Sequence, residues 1–261
     1  IYEGKKIVVN NASTWRVEKE YRNLSIKLFL SLINYSNDTI LFDTTPSNNV
    51  EEILKLLKFN KFPNHKNHIF FIPIRLNRIY KHRYGKNIIL INLLKLINLL
   101  FKGFYNNTIF NRLNYKTYKV KQIKNIDDRF DKLWAKSKNS YLNTNVRDSK
   151  YLKWYCNMMP DMTKVIFGYF ENATLNNFAI FQVIYERKIK SLHCRDIWGL
   201  RINLDILKAI INEVLKFSYK NDIDIIYFPH INDEIDTIYK KLRLIKKEYN
   251  DKRFYKSKNK F

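Results

Sequence analysis

Few side chains in this sequence can move a proton near neutral pH, and their placement narrows the chemistry open to it. His230 follows Pro229 at the end of the apolar run 222–228, and an imidazole there has a resting pKa suited to general acid–base work. Asp43 closes the run Ile40-Leu41-Phe42 beside Thr44 and Thr45. It could orient or deprotonate an acceptor, or bond local backbone as turn carboxylates do. His193 and Cys194 are neighbours on a strand-like run, so they point to opposite faces and cannot pair with each other. His65 and His68 stand three apart with no nearby cysteine or close carboxylate to complete a zinc set, so no metal is expected. Trp15, Trp134, Trp154 and Trp198 are expected in core contacts, with a sugar-binding role open to one of them.

A second kind of chemistry is anion binding. Residues 13–17 read as a short strand, and Leu24, Leu28, Ser31 and Leu32 mark one face of a helix running to about Tyr35. A helix that starts between them exposes unpaired N–H groups and the positive end of its dipole, which suits a diphosphate. Arg22 and Lys27 add full charges, although solvated side chains at an ordinary helix start would look the same. A similar turn runs from Asp196 to Asn203, with one glycine and one arginine but no full phosphate-loop pattern.

Composition bounds the classes. The chain has 261 residues, 46% hydrophobic and 15% aromatic, far from the signature of disorder. Forty-eight Lys and Arg against 24 Asp and Glu give a net charge of +24, a field that favours anionic partners. The abundance of Asn, Ile, Tyr and Phe beside Lys points to AT-rich codons as the larger cause. Nucleic-acid binding ranks third among the readings, because no reading motif is present and the charge is spread along the chain. Two cysteines and no signal peptide make a reducing cytoplasm the expected compartment. The chain begins at Ile1 with residues 7–9 already strand-like, so the natural protein is expected to extend upstream.

The elements that must position these residues form an α/β chain with mixed sheets. Strands at 7–9, 13–17, 40–42 and 69–74 alternate with helices to Tyr35 and from Val50 to Leu57. Residues 86–102 read as an amphipathic helix stopped by Gly103, roughly 25 Å long with Lys95 at its middle. It is a poor membrane span. It is expected to pack between two halves, with Arg75, Arg78, Lys81 and Arg83 keeping open a position on an anionic membrane surface. From 115 the order is β-α-α-β-β-β-α-β-α-β. The expected division is therefore 1–75, a connector at 76–114, and 115–261.

That order, two helices followed by three consecutive strands, resembles the GNAT-type N-acetyltransferase fold in two modules, the first incomplete at its N-terminus. The residues Thr14-Trp15-Arg16-Val17-Glu18-Lys19-Glu20-Tyr21-Arg22-Asn23-Leu24-Ser25-Ile26-Lys27-Leu28 look like the strand, turn and helix start with which that family holds coenzyme A. Leu56-Leu57-Lys58-Phe59 sits where the family often ends its next helix with Leu-Gly-Phe, and Val146 to Trp154 looks like a segment of GNAT-like bacterial proteins found with surface-polysaccharide genes. The resemblance implies an acyl-CoA co-substrate, acetyl-CoA or another, held by Val17, Arg22, Asn23, Leu24, Ser25, Ile26 and Lys27. Ser25 and Lys27 stand at the two small-residue positions of the family's loop, where glycine would permit close approach of backbone to phosphate. The implied activity is acyl transfer to a small amine or sugar-like acceptor, in surface-polysaccharide metabolism. Direct transfer needs no protein nucleophile, only positioning, a proton acceptor and an oxyanion donor; Asp43 and His230, singled out above from their own placement, are the catalytic candidates. The alternative is a non-catalytic scaffold of the same fold that binds a partner or a membrane surface.

Overall fold

A strand that sequence order assigns to the first half lies in the sheet of the second. The computed structural model describes residues 8–12, 17–44, 46–62, 67–85, 87–105, 118–140, 144–158, 163–249 and 253–257. The chain divides into two compact units, Ile1–Asn67 with Tyr249–Phe261, and His68–Glu248.

In the first unit, β1 (Val9–Asn11) pairs in parallel with β2 (Ile40–Asp43), joined by α1 (Ser25–Tyr35). Ser47 caps α2 (Asn48–Leu56), its hydroxyl accepting from the Val50 amide at 3.4 Å. The helix ends at Lys58 with φ 58°, and the Phe59 amide turns back to the Leu54 carbonyl at 2.9 Å. This folds Phe59 under the sheet beside Phe29, Leu41 and Leu54. β3 (Asn60–Lys61) follows, and β11 (Phe254–Lys256) from the far end of the chain runs antiparallel between β2 and β3.

The second unit holds a seven-stranded sheet in the order β10 (Ile245–Glu248), β4 (His68–Pro73), β9 (Ile225–Pro229), β8 (Ile189–Gly199), β7 (Thr174–Glu186), β6 (Lys164–Glu171), β5 (Tyr118–Ile123). Among the described strands of this sheet, only β8 and β9 run parallel. Two tight hairpins fix the antiparallel run: Asn172-Ala173 and Arg187-Lys188 all take positive φ, the geometry that matches strand twist in a two-residue turn. On one face, α5 (Asp128–Ser137) and α6 (Ser149–Asn157) cover Phe178, Ile180 and Trp198. On the other, α7 (Leu204–Lys220) and α8 (Asp233–Lys241) bury Phe181, Leu192, Ile226 and Phe228. Asn203 and Asn232 cap α7 and α8 by accepting from the amides three residues on.

The boundaries therefore differ from the division at 75 and 115. β4 inserts antiparallel between β9 and β10, and β11 inserts in the same way into the small sheet, so each sheet takes a strand from across the sequence. A pairing made at such separation leaves no local trace in sequence. The amphipathic segment forms α4 (Ile88–Tyr105), which follows α3 (Leu76–Arg83) and continues through Gly103. Its Asn98 ties it to α3, accepting from the Leu76 amide at 2.9 Å and donating to Asn77 at 2.7 Å. Among the described residues no helix is long and apolar enough to cross a membrane.

Candidate active site

The parallel pair β8–β9 forms an opening at its carboxyl end, where ligands of open α/β sheets collect. Registered pairing covers Ser191↔Ile225, Leu192↔Ile226 and His193↔Tyr227, and stops there. Just beyond, β8 shifts register against β7: Phe181 faces Cys194 while Ile180 faces Asp196, so Arg195 is the extra residue of a bulge. The bulge falls just past the last registered pair of β8 and β9, and the unpaired continuation of the two strands, from Cys194 and Phe228 on, is a fork in the ladder. A linear ligand carrying amides can enter such a fork as a surrogate strand.

Beneath the fork lies Tyr239, on α8, with its ring 5.4 Å from Phe228 and 5.2 Å from Phe70. Its side chain is fully buried and its hydroxyl has no hydrogen-bond partner among the described residues. Burial pushes the phenol well above its ordinary pKa, and Cys194 and Asp236 push it the same way. Burial likewise raises the Cys194 thiol, with Asp196 adding to the shift. Both groups stay protonated at neutral pH, so Tyr239 holds an uncommitted proton donor at the floor of the fork, whereas Cys194 is no nucleophile.

The turn from β8 into α7 is held from behind. Leu200 N donates to Asn176 O at 3.1 Å, and Asn177 Nδ2 donates to Arg201 O at 2.6 Å. A side chain on Gly199 would put its Cβ 1.8 Å from Asn177 Nδ2, so this position requires glycine. The turn thus presents exposed Arg201 and the start of a long, buried helix to the same end of the fork.

The opposite face of β8 carries polar groups. Arg147 pairs with Asp196 and lies over the Trp198 ring at 4.2 Å. Arg195 donates to Gln182 at 2.8 Å. Tyr151 and Tyr155 of α6 stack at 6.2 Å, and burial raises both phenols. His193 sits between Ser191 Oγ, 2.9 Å from its Nε2, and the Tyr227 ring at 4.7 Å. Burial, helped by Arg195, lowers its pKa to about 4, so the imidazole is neutral at pH 7. Sequence reasoning set His193 aside for its lack of a cysteine partner and missed Tyr239. The structure shows it through the repeat of a helix ending: Arg243 takes φ 57° and Leu244 N returns to Tyr239 O, as Lys58 and Phe59 do with Leu54.

The residues singled out in the first unit are arranged differently. A 3-10 turn at Lys19–Leu24 runs directly into α1, so the Ser25 amide and hydroxyl both donate to the Arg22 carbonyl. The start of that turn lies between Glu18 and Glu20, whose charge opposes an anion. Val17 and Ser25 are half-buried, while Arg22, Asn23, Leu24, Ile26 and Lys27 are exposed. Asp43 is buried at the end of β2 opposite Phe254. The unit also holds an apolar cavity of about 500 Å³ beside Ala12, Phe29 and Leu32. Thr14, Trp15, Arg16, Thr45 and His65 fall outside the described residues. His230 lies in the second unit, just past β9, with its Nδ1 3.0 Å from Asp236.

No protein-family model and no curated protein matches this sequence. Solved structures do match in shape. A GCN5-related N-acetyltransferase from Anabaena variabilis superposes with a TM-score of 0.56 at 10% identity, over 97% of this chain and 56% of that one. A tandem GNAT protein from the clavulanic acid biosynthesis pathway gives 0.54 at 10%, over 95% and 74%. N-myristoyltransferase from Saccharomyces cerevisiae, solved with bound myristoyl-CoA, gives 0.56 at 12%, over 97% and 63%. The chain thus spans little more than half the length of the Anabaena protein and under two thirds of the yeast one. With its two mixed sheets and a forked parallel pair in the larger one, the chain has the fold of the GNAT-type N-acetyltransferases.

Proposed function

We propose that the protein is an acyl-CoA-dependent acyltransferase, most naturally an N-acetyltransferase, and that its second unit carries out the transfer. The observation that carries this reading is Tyr239. Matching the two helix endings puts Leu54 of the first unit at the place of Tyr239 in the second. One unit therefore fills the position with hydrocarbon, and the other buries a phenol whose proton is uncommitted.

The residues of the second unit suit each part of an acyl-CoA. Arg201 and the start of α7 would hold the diphosphate, and the backbone of β8 just past its last pair with β9, His193↔Tyr227, would hold the amides of the linear arm. Transfer breaks a carbon–sulfur bond and forms a carbon–nitrogen bond. Tyr239 O–H would protonate the departing sulfur, neutral His193 would accept a hydrogen bond from the attacking amine, and the proton that amine loses would pass to water. Arg147, Asp196, Tyr151 and Tyr155 supply charge and flat aromatic surface for a small amine or an amino sugar. The resemblance of the Val146–Trp154 segment to proteins found with surface-polysaccharide genes supports a precursor of such a polymer as acceptor.

Steady-state kinetics with acetyl-CoA and a panel of amino sugars and small amines tests the reading. Turnover that falls in Tyr239→Phe with binding retained supports it; no thioester cleavage with any acceptor and no affinity for coenzyme A contradicts it.

A second reading, a peripheral membrane contact, is favoured by α4. Ile89, Leu93, Leu96 and Leu100 lie three or four apart and are all exposed, a continuous apolar stripe. Lys81 and Arg83 are exposed on the preceding helix. Flotation with vesicles containing anionic phosphatidylglycerol would recover the wild type but not Leu93→Glu/Leu96→Glu; equal recovery of both would remove this reading.

A further inference from the structure

Two histidines of the second unit converge on one carboxylate. His68 opens β4, His230 follows β9, and Asp236 lies in the first turn of α8, one turn before Tyr239. His68 Nε2 lies 2.6 Å from Asp236 Oδ2, and His230 Nδ1 lies 3.0 Å from the same oxygen. One ligand atom from each of the three residues falls within 4.8 Å of the others. The side chains of His68 and Asp236 are each 7% exposed, and that of His230 is 21% exposed.

The carboxylate is left incompletely satisfied. Its second oxygen, Oδ1, is buried and has no hydrogen-bond partner among the described residues. No lysine or arginine of the described residues forms an ion pair with it. Burying a carboxylate is costly unless a cation or a full set of donors compensates it. Two imidazole nitrogens and a carboxylate oxygen are the ligand types that a borderline divalent ion selects. In a tetrahedral site with bonds of about 2.0–2.1 Å such atoms stand roughly 3.3 Å apart, so each imidazole would move out from Asp236 by under about 1 Å and the widest pair, within 4.8 Å, would close by up to about 1.5 Å.

We propose that His68, His230 and Asp236 bind a divalent transition-metal ion of the zinc class. The partly exposed His230 leaves the remaining coordination position on the solvent side, open to water. The ion joins the starts of β4 and α8 to the end of β9, and so fixes the helix that carries Tyr239. Sequence spacing could not show this, because the carboxylate lies 168 residues from His68. The proposal does not rest on the transferase reading.

The full-length chain, stripped with a chelator, would be titrated with Zn²⁺ by calorimetry and with Co²⁺ by visible absorption. The expected result is one ion per chain, a Co²⁺ spectrum of low coordination number, and a melting temperature that rises and saturates with one equivalent. Asp236→Asn and His230→Gln should each weaken binding at least ten-fold, whereas His82→Gln, on exposed α3, should not. Wild type that takes up no more Zn²⁺ than His68→Gln/His230→Gln, or a Co²⁺ spectrum identical to that of the free ion, would overturn the site and leave a hydrogen-bonded cluster only. The wild-type titration decides this even if a variant fails to fold.

Discussion

Arg147 grips Asp196 at two points, Nε to Oδ2 at 2.7 Å and Nη2 to Oδ1 at 3.0 Å, and so ties the approach to α6 to the bulged end of β8. Arg147 also donates to Thr144 Oγ1 and the Asn145 carbonyl, while its plane covers Trp198. With side chains only 15% and 20% exposed, the pair is largely shielded from water. Arg147→Ala strands the carboxylate and should cost roughly 2–3 kcal/mol by urea denaturation. Arg147→Lys should recover only part of this, because an ammonium cannot reproduce the fork.

Tyr239→Phe separates catalysis from stability. Removing a buried hydroxyl that has no partner should leave stability unchanged or slightly raised. If the phenol donates the proton that sulfur needs, kcat should fall by roughly 10²–10³ while KM for the thioester holds. An equal loss of stability and rate would mean that the phenol is only packing.

His193 links stability to pH. Its folded pKa of about 4 lies below the ordinary histidine value, so the unfolded chain binds the proton more readily. The sign follows: this group's contribution is fully present above about pH 6.5 and is lost as pH falls toward 4. The difference in stability between wild type and His193→Gln should therefore change between pH 6.5 and 4 and be flat above pH 7. A difference constant across that range would contradict the burial assigned to the ring.

Both helix endings place a long basic side chain in the left-handed region, Lys58 at φ 58° and Arg243 at φ 57°. That conformation costs a non-glycine residue about 1–2 kcal/mol, against roughly 0.5–1 kcal/mol of added chain entropy for glycine. Lys58→Gly should therefore raise stability by about 0.5–1 kcal/mol in thermal or urea unfolding. A destabilised variant would mean that the Lys58 side chain makes contacts worth more than the strain.

Local signals carried much of this fold. The Asn203 cap and the apolar spacing of Leu207, Ile211, Val214 and Leu215 announce α7, and the element order from 115 onward marks the GNAT resemblance. What sequence could not show was long-range: β4 joins β9 and β10 across more than 150 residues, which moves His68 out of the first half and onto Asp236. The anion site was drawn to residues 17–27 because charge and a helix start coincide there. The 3-10 turn that spends the Ser25 amide on Arg22 is a backbone detail that residue types do not encode. Tyr239 was hidden for the opposite reason, since a tyrosine at helical spacing reads as core, and the role proposed for it rests on a hydroxyl with no hydrogen-bond partner among the described residues.

Calorimetry of acetyl-CoA binding to the full-length chain, comparing Arg201→Ala with Arg22→Ala, tests the central claim most directly. The account predicts one site per chain, weakened roughly ten-fold by Arg201→Ala, the ~1.4 kcal/mol of one charge-assisted phosphate contact, and unchanged by Arg22→Ala. Binding that Arg22→Ala weakens and Arg201→Ala leaves intact would return the cofactor to the first unit, and no binding at all would remove the transferase.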